Sequence, residues 1–142
     1  MFILKLYTFI LLAFCAYTDW KERKIYNIVT IPSIFAGAIL NYHLYGPDII
    51  GTIALSIGSV GVFGLIFALM YAIGYGDWKL WMAVSAVMNV YYFLALLFVT
   101  SLLVLFYVGY RTVFRLDLKP IPHAVFMFFA FCLYEGLWRI IG

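Results

Sequence analysis

The sequence predicts an all-α, polytopic membrane protein of six transmembrane helices, the fourth short, with both termini outside the cell membrane. Three observations predict it: composition, the lengths of the apolar runs, and the placement of basic residues. Of 142 residues, 68% are hydrophobic and 11% charged, where a soluble domain carries about 45–50% apolar and about 25% charged residues. The mean hydropathy is +1.10. A spanning helix needs about 20 apolar residues, so this length holds at most about six spans. The expected organisation is a single transmembrane domain over residues 1–142, which excludes a nucleotide-binding domain, a zinc module and a receptor ectodomain.

The first run covers residues 2–18 and is apolar apart from Lys5. It lacks a strong basic stretch ahead of it and a small-x-small cleavage site after it, so it reads as a retained span and not a secretory signal. A polar stretch, Asp19 to Lys24, follows. The second run, about 28–45, closes on the turn signal Gly46-Pro47-Asp48. The third, about 49–73, ends at Gly74-Tyr75-Gly76-Asp77. Its small residues Gly51, Ala54, Gly58, Gly61, Ala68 and Ala72 fall near one helical stripe, the pattern of a central helix that its neighbours approach closely.

From Leu80 to Tyr110 the chain is apolar for 31 residues. A single helix of that length would be about 46 Å long, against a hydrocarbon core of about 30 Å. Lys79 precedes this stretch, and Arg111, Arg115 and Lys119 follow it. Basic residues in short loops mark the cytoplasmic side, so the stretch crosses an even number of times. A hairpin at Asn89 satisfies this, with a fourth helix of about 11 residues and a full fifth one. Such a short helix is tolerated at membrane depth only where protein or a water-filled cavity surrounds it, which places a wet site on the cytoplasmic side. The last run covers about 121–141. With Lys21, Arg23 and Lys24 in the first loop, the basic residues account for the net charge of +3 as topology; no nucleic-acid partner is implied, and the one large partner is the lipid bilayer. Cys15 and Cys132 sit singly in apolar runs and read as small buried hydrophobes.

Six acids remain to be placed. Asp48, Glu22 and Asp117 fall in loops and read as solvated charge. Glu135 precedes Arg139 by four residues, the spacing of a local ion pair on a helix. Asp19 and Asp77 differ from these. Each is followed by the same dipeptide, in Asp19-Trp20-Lys21 and Asp77-Trp78-Lys79, with Trp and Lys suited to anchoring at the headgroup level. Both carboxylates therefore fall at one depth near the cytoplasmic interface, where ionisable groups are costly and usually functional. Gly74 and Gly76 free the backbone ahead of Asp77 for close approach of another helix or an extended substrate. Two aspartates within hydrogen-bond reach cannot both stay ionised and share one proton. Such a pair polarises a peptide carbonyl with its acid form and activates water with its base form. That is aspartic-protease chemistry, which needs no metal and no other cofactor.

Gly74-x-Gly76-Asp77 resembles the G-x-G-D signature of intramembrane aspartyl proteases, and with Lys79 it narrows to a resemblance to type IV prepilin peptidases. Members carry their first catalytic aspartate at the end of the first of six helices, in a pattern close to D-x5-I-P-N. Here Asp19 is followed at the matching offsets by Ile25, Tyr26 and Asn27. The resemblance implies that Asp19 and Asp77 are catalytic, that Gly74, Gly76, Lys79 and Asn27 shape the site or meet substrate, and that the substrate is a prepilin. A prepilin has a short basic leader in the cytoplasm, then a hydrophobic helix, and is cut at their junction, commonly after a glycine. Tyr26 replaces the usual proline but leaves Asn27 free to cap the second helix. The long loop with paired C-x-x-C motifs is absent, as in the short form associated with tight-adherence (Flp-type) pili or archaeal relatives, so N-methylation is not implied. Glu22 and Asp117 are the local acids that suit a basic leader. Lys79 either tunes the pair or holds nearby backbone carbonyls, beside its positive-inside placement. His123, after Lys119-Pro120-Ile121-Pro122, reads as a packed interfacial histidine.

Two other classes stay open from the residues alone. A small proton-coupled transporter would use the aspartates as relay groups and favour carboxylates near the bilayer midplane with an internal repeat. A membrane assembly protein would use them structurally. A signal-peptide-peptidase-like enzyme shares G-x-G-D but is usually a much longer chain.

Overall fold

A computed structural model describes residues 1–70, 73–116 and 121–141. Six helices follow one another: α1 (Phe2–Glu22), α2 (Asn27–Tyr45), α3 (Ile49–Leu69), α4 (Tyr75–Met88), α5 (Val90–Val113) and α6 (His123–Ile141). The described residues contain no strand. Five of the helices are long and apolar enough to cross a membrane, which makes this a multi-pass membrane protein. The sixth, α4, has 14 residues and spans about 21 Å.

Helix α4 is bounded at both ends by residues with non-helical backbone. Gly74 leads in with extended backbone, and Asn89 stops the helix at φ 74° and ψ 167°, a positive-φ conformation that no helix can continue through. The Asn89 amide N–H still donates to the Ser85 carbonyl at 3.0 Å. Its side-chain oxygen then accepts from the Tyr92 N–H at 3.1 Å, capping α5. One residue thus closes one helix and opens the next, at the hairpin position expected from the charges. The helix begins at Tyr75, ahead of the apolar stretch, and is therefore longer than the 11 residues expected.

The centre of the bundle is α4 and not α3. Leu80, Trp81 and every residue from Ala83 to Met88 are buried, because α2, α3, α5, α1 and α6 all pack on this helix. Helix α3 is peripheral. Gly51, Ala54 and Gly58 of the expected small-residue stripe are exposed, and Ala72 lies outside the described residues. The buried stripe is Ile53, Ser56, Val60, Gly64 and Ala68. Small residues matter where α4 arrives: a Cβ on Gly37 of α2 would lie 2.8 Å from Val87 Cγ2 and 2.9 Å from the Val87 amide nitrogen. Asn41, one turn on, donates to the Ala86 and Val87 carbonyls at 3.0 and 2.9 Å. These last carbonyls of α4 have no helical partner, so a side-chain amide from α2 satisfies them inside the bundle.

The bundle has two polar ends. At one, the end of α1 and the beginnings of α2 and α4 line a common cavity. At the other, α4 stops short and leaves a cavity of about 300 Å³, with Asn41, Thr52, Ser56 and Asn89 in its wall. The start of α1 and the end of α6 lie at this second end, where Phe2 and Lys5 share a groove with Glu135 and Arg139. There Glu135 does not pair with Arg139. It accepts from Lys5 Nζ at 2.6 Å and from the Tyr92 hydroxyl at 2.5 Å. The local spacing loses because Lys5 and Tyr92 approach from α1 and α5 and together satisfy both carboxylate oxygens. Cys15 is buried, but Cys132 is exposed on this groove, since the outer face of a membrane helix meets lipid.

Candidate active site

The first cavity has a volume of about 370 Å³ and is lined by Asp19, by the linker Arg23 to Asn27, and by Gly74, Gly76 and Asp77. Five of the six residues singled out by sequence therefore meet in one place, from chain segments some fifty residues apart. The volume lies in the roughly 300–1,000 Å³ range of ligand pockets.

Asp19 sits in the last turn of α1 and is buried, at 8% exposure. A carboxylate at a helix C-terminus meets the negative end of its own helix, so its donors come from elsewhere. The Ala124 N–H donates to Asp19 Oδ2 at 3.0 Å. Ala124 is the second residue of α6, and its amide is one of the four at a helix start with no partner inside the helix. Asp19 thus rests on the positive end of α6. Arg23, whose backbone terminates α1 in the left-handed conformation at φ 56°, adds its charge to the surroundings of Asp19.

Asp77 sits in the first turn of α4. Its Oδ2 reaches back to the Gly74 N–H at 3.4 Å, a long contact that does part of what a capping residue does. Its charge is one of those that act on Asp19. The glycines ahead of it have separate jobs. A Cβ on Gly76 would lie 3.1 Å from Ile25 Cβ, so this glycine admits the α1–α2 linker against α4. A Cβ on Gly74 would lie 3.3 Å from Asp77 Oδ2 itself.

Asn27 and Lys79 are brought together, but not as expected. Asn27 is the first residue of α2 and makes no capping bond; Tyr26 holds the cap position. The Asn27 Oδ1 instead accepts from Lys79 Nζ at 2.8 Å. Lys79 therefore holds a side-chain carbonyl, not a backbone one, and ties the start of α4 to the start of α2 at the cavity wall. Tyr26 donates its hydroxyl to Glu22, so that acid is engaged locally, while Asp117 and Lys119 lie outside the described residues. His123 is packed as expected: its Nε2 accepts from Trp81 Nε1 at 3.1 Å.

Sequence reading missed the Ala124 amide and Trp81. Trp81 had a usable signal, because it follows Asp77 by four residues and so shares its helix face. A backbone amide more than a hundred residues from Asp19 had none. Among the described residues no group of three His, Cys, Asp or Glu side chains is gathered at one point.

A match to the type IV leader peptidase family covers residues 6–109. The chain belongs to that family. It is a peptidase by membership, and both aspartates, Gly74, Gly76, Asn27 and Lys79 fall within the matched residues. Helix α6, which supplies the amide to Asp19, lies beyond them. Neither the curated proteins nor the solved structures yielded a match.

Proposed function

We propose that this leader peptidase is an intramembrane aspartic endopeptidase that cuts the basic leader from type IV, Flp-like prepilins at the cytoplasmic membrane interface. The observation that carries the reading is the convergence of Asp19 and Asp77, from the ends of two different helices, on one cavity. The cavity end of the bundle bears Lys21, Arg23, Lys24 and Lys79, the charge pattern of a cytoplasmic face, and both carboxylates stand in terminal turns and not at mid-helix. A proton relay through the bilayer would favour the reverse.

In this mechanism Asp19 is the base. Its Oδ2 is held by the short Ala124 amide bond and lies near Arg23, both of which favour a carboxylate. Asp77, with only the long Gly74 contact, holds the shared proton. Asp19 takes a proton from a water as its oxygen adds to the scissile carbonyl carbon, and Asp77 donates its proton toward the carbonyl oxygen. The tetrahedral intermediate then collapses: the C–N bond breaks, the leaving nitrogen takes the proton held by Asp19, and a hydroxyl of the gem-diol returns its proton to Asp77 as the new carboxylic acid forms, which restores the starting pair. Substrate backbone would lie along the wall that Gly74 and Gly76 keep low.

The test uses the purified protein in proteoliposomes with a peptide carrying a basic leader, a junction glycine and an apolar helix. Asp19→Asn and Asp77→Asn should each lower kcat/KM by about 10³-fold. The reading is wrong if either variant processes the leader at the normal rate. The pH profile should be bell-shaped, since activity needs one proton on the pair. It falls at low pH as the base is protonated and at high pH as the acid ionises.

A further inference from the structure

Asp19 and Asp77 are carried by helices whose main packing lies elsewhere. Helix α1 packs chiefly on α6, and α4 packs chiefly on α2 and α3. Direct packing of α1 on α4 and the linker from α1 into α2 already join the two helices. The geometry points to the Trp81–His123 hydrogen bond as a further tie that sets the donor of one carboxylate against the helix of the other: we propose that Trp81 and His123 are positioning residues for the aspartate pair. The inference rests on the protease reading above and adds to it a route by which the pair is aligned.

The route has two hydrogen bonds. Trp81 stands one turn after Asp77 on the same face of α4 and is buried at 3% exposure. Its indole N–H donates to His123 Nε2 at 3.1 Å, and the two rings lie 5.7 Å apart at 53°. An accepting Nε2 requires the neutral imidazole with its proton on Nδ1, so the bond selects one tautomer as well as one ring orientation. His123 is the first residue of α6, and the next residue, Ala124, is fully buried and donates its N–H to Asp19 Oδ2 at 3.0 Å. Helices α4 and α6 share only a small contact, so this bond is their main polar tie. It docks the start of α6 on α4 at the level where its free amide meets Asp19.

Trp81 is itself held from the other side. Its ring packs on Phe93 of α5, fully buried, at a centroid separation of 5.7 Å. A displacement of the α6 start would move the Ala124 amide and release Asp19 toward Arg23. Misplacement of a catalytic group by about 1 Å costs on the order of 10²-fold in rate. Neither Trp81 nor His123 lines the cavity, so substrate affinity should be spared.

Trp81→Phe keeps the ring and removes the donor; His123→Leu removes the acceptor; His123→Gln keeps an acceptor at the Nε2 position. kcat and KM are measured on the same leader peptide, with thermal stability and the two Asp→Asn variants in parallel. Trp81→Phe and His123→Leu should each lower kcat by about 10- to 100-fold with KM within about twofold. His123→Gln should recover most of the loss. The Trp81→Phe/His123→Leu double variant should be no slower than the worse single one, since both break one bond. Unchanged kcat in the single variants, failure of the glutamine to recover it, or multiplying effects overturns the proposal. So does loss of the folded protein in all three single variants, which would make the bond a folding element. If the Asp→Asn variants stay active the protease reading fails; if they are inactive while Trp81→Phe and His123→Leu behave as wild type, only the positioning role fails.

Discussion

The tripeptide Asp-Trp-Lys occurs twice, at residues 19–21 and 77–79, and the two copies meet different surroundings at every residue. In α1 it forms the last turn; in α4 it forms the first. Asp19 therefore faces the negative end of its own helix and borrows the positive end of α6, through Ala124. Asp77 stands at the positive end of its own helix and reaches back to Gly74. The tryptophans diverge further. Trp20 is 68% exposed on the outer face of α1. Trp78 is turned into α3, donating its indole N–H to the Gly61 carbonyl at 2.8 Å, so the expected interfacial anchor is a packing residue. Lys21 lies 5.7 Å over the Tyr17 ring of its own helix, while Lys79 crosses to Asn27 on another. Local sequence sets which residue types stand in a row; the end of the helix they occupy and the neighbours packed there decide what each of them meets.

The largest test of this contrast is to remove the two indoles. Trp78→Ala deletes a side chain packed against α3 together with a hydrogen bond, and should cost about 3 kcal/mol or more of stability. Trp20→Ala should stay within about 0.5 kcal/mol, as surface changes do. Denaturant or thermal unfolding in detergent micelles compares them directly. Equal losses would mean that Trp78 is an interfacial anchor after all and that α4 is not surrounded.

The same contact can be tested from the other side. A Cβ on Gly64 would lie 2.4 Å from Trp78 Cδ1, a separation that real atoms do not adopt, whereas a Cβ on Gly58 would meet nothing within 4 Å. Gly64→Ala should therefore destabilise by about 1–3 kcal/mol through overpacking. Gly58→Ala, on the exposed face of the same helix, should be neutral or stabilise by up to about 1 kcal/mol, the helix-propensity difference. Opposite signs from one chemical change within two turns of α3 would show which of its glycines face protein. Matching signs would put the α3–α4 contact in the wrong register.

These glycines also show what the sequence could and could not reveal. The helix count, the short α4 and its stop at Asn89 were legible because they follow from lengths and charges, which a bilayer constrains strongly. Asp19 and Asp77 stood out because carboxylates are scarce in an apolar chain, and Gly74, Gly76, Asn27 and Lys79 came with the motif. The face that each helix turns to its neighbours was not legible. In a water-soluble helix polarity marks the outside, but here lipid and protein interior are both apolar, so Gly51, Ala54 and Gly58 looked as suited to packing as Gly37 and Gly64. Contacts distant in sequence were hidden for a simpler reason. Glu135 had a plausible partner four residues away in Arg139, and nothing local announced Lys5 or Tyr92.

The smallest difference between the two triplets is in their lysines. Lys79→Met keeps the aliphatic stem and removes the ammonium that holds Asn27 Oδ1 at 2.8 Å. The bond is exposed, so water replaces the lost donor and the cost should be only about 0.5–1 kcal/mol. Lys21→Met gives up a ring contact at 5.7 Å on an exposed turn, worth about 0.5 kcal/mol or less in such a setting. Stability alone barely separates the two, but leader processing should. Lys79 joins the start of α4, and with it Asp77, to the start of α2, so its loss should slow cleavage several-fold while Lys21→Met leaves the rate unchanged. Asn27→Leu removes the other half of the same bond and should slow cleavage to a similar degree, with Lys79→Met/Asn27→Leu no slower than either alone. If instead Lys79→Met is slow and Asn27→Leu is not, the ammonium acts on the aspartates through its charge, and the tie between α2 and α4 has no part in the rate.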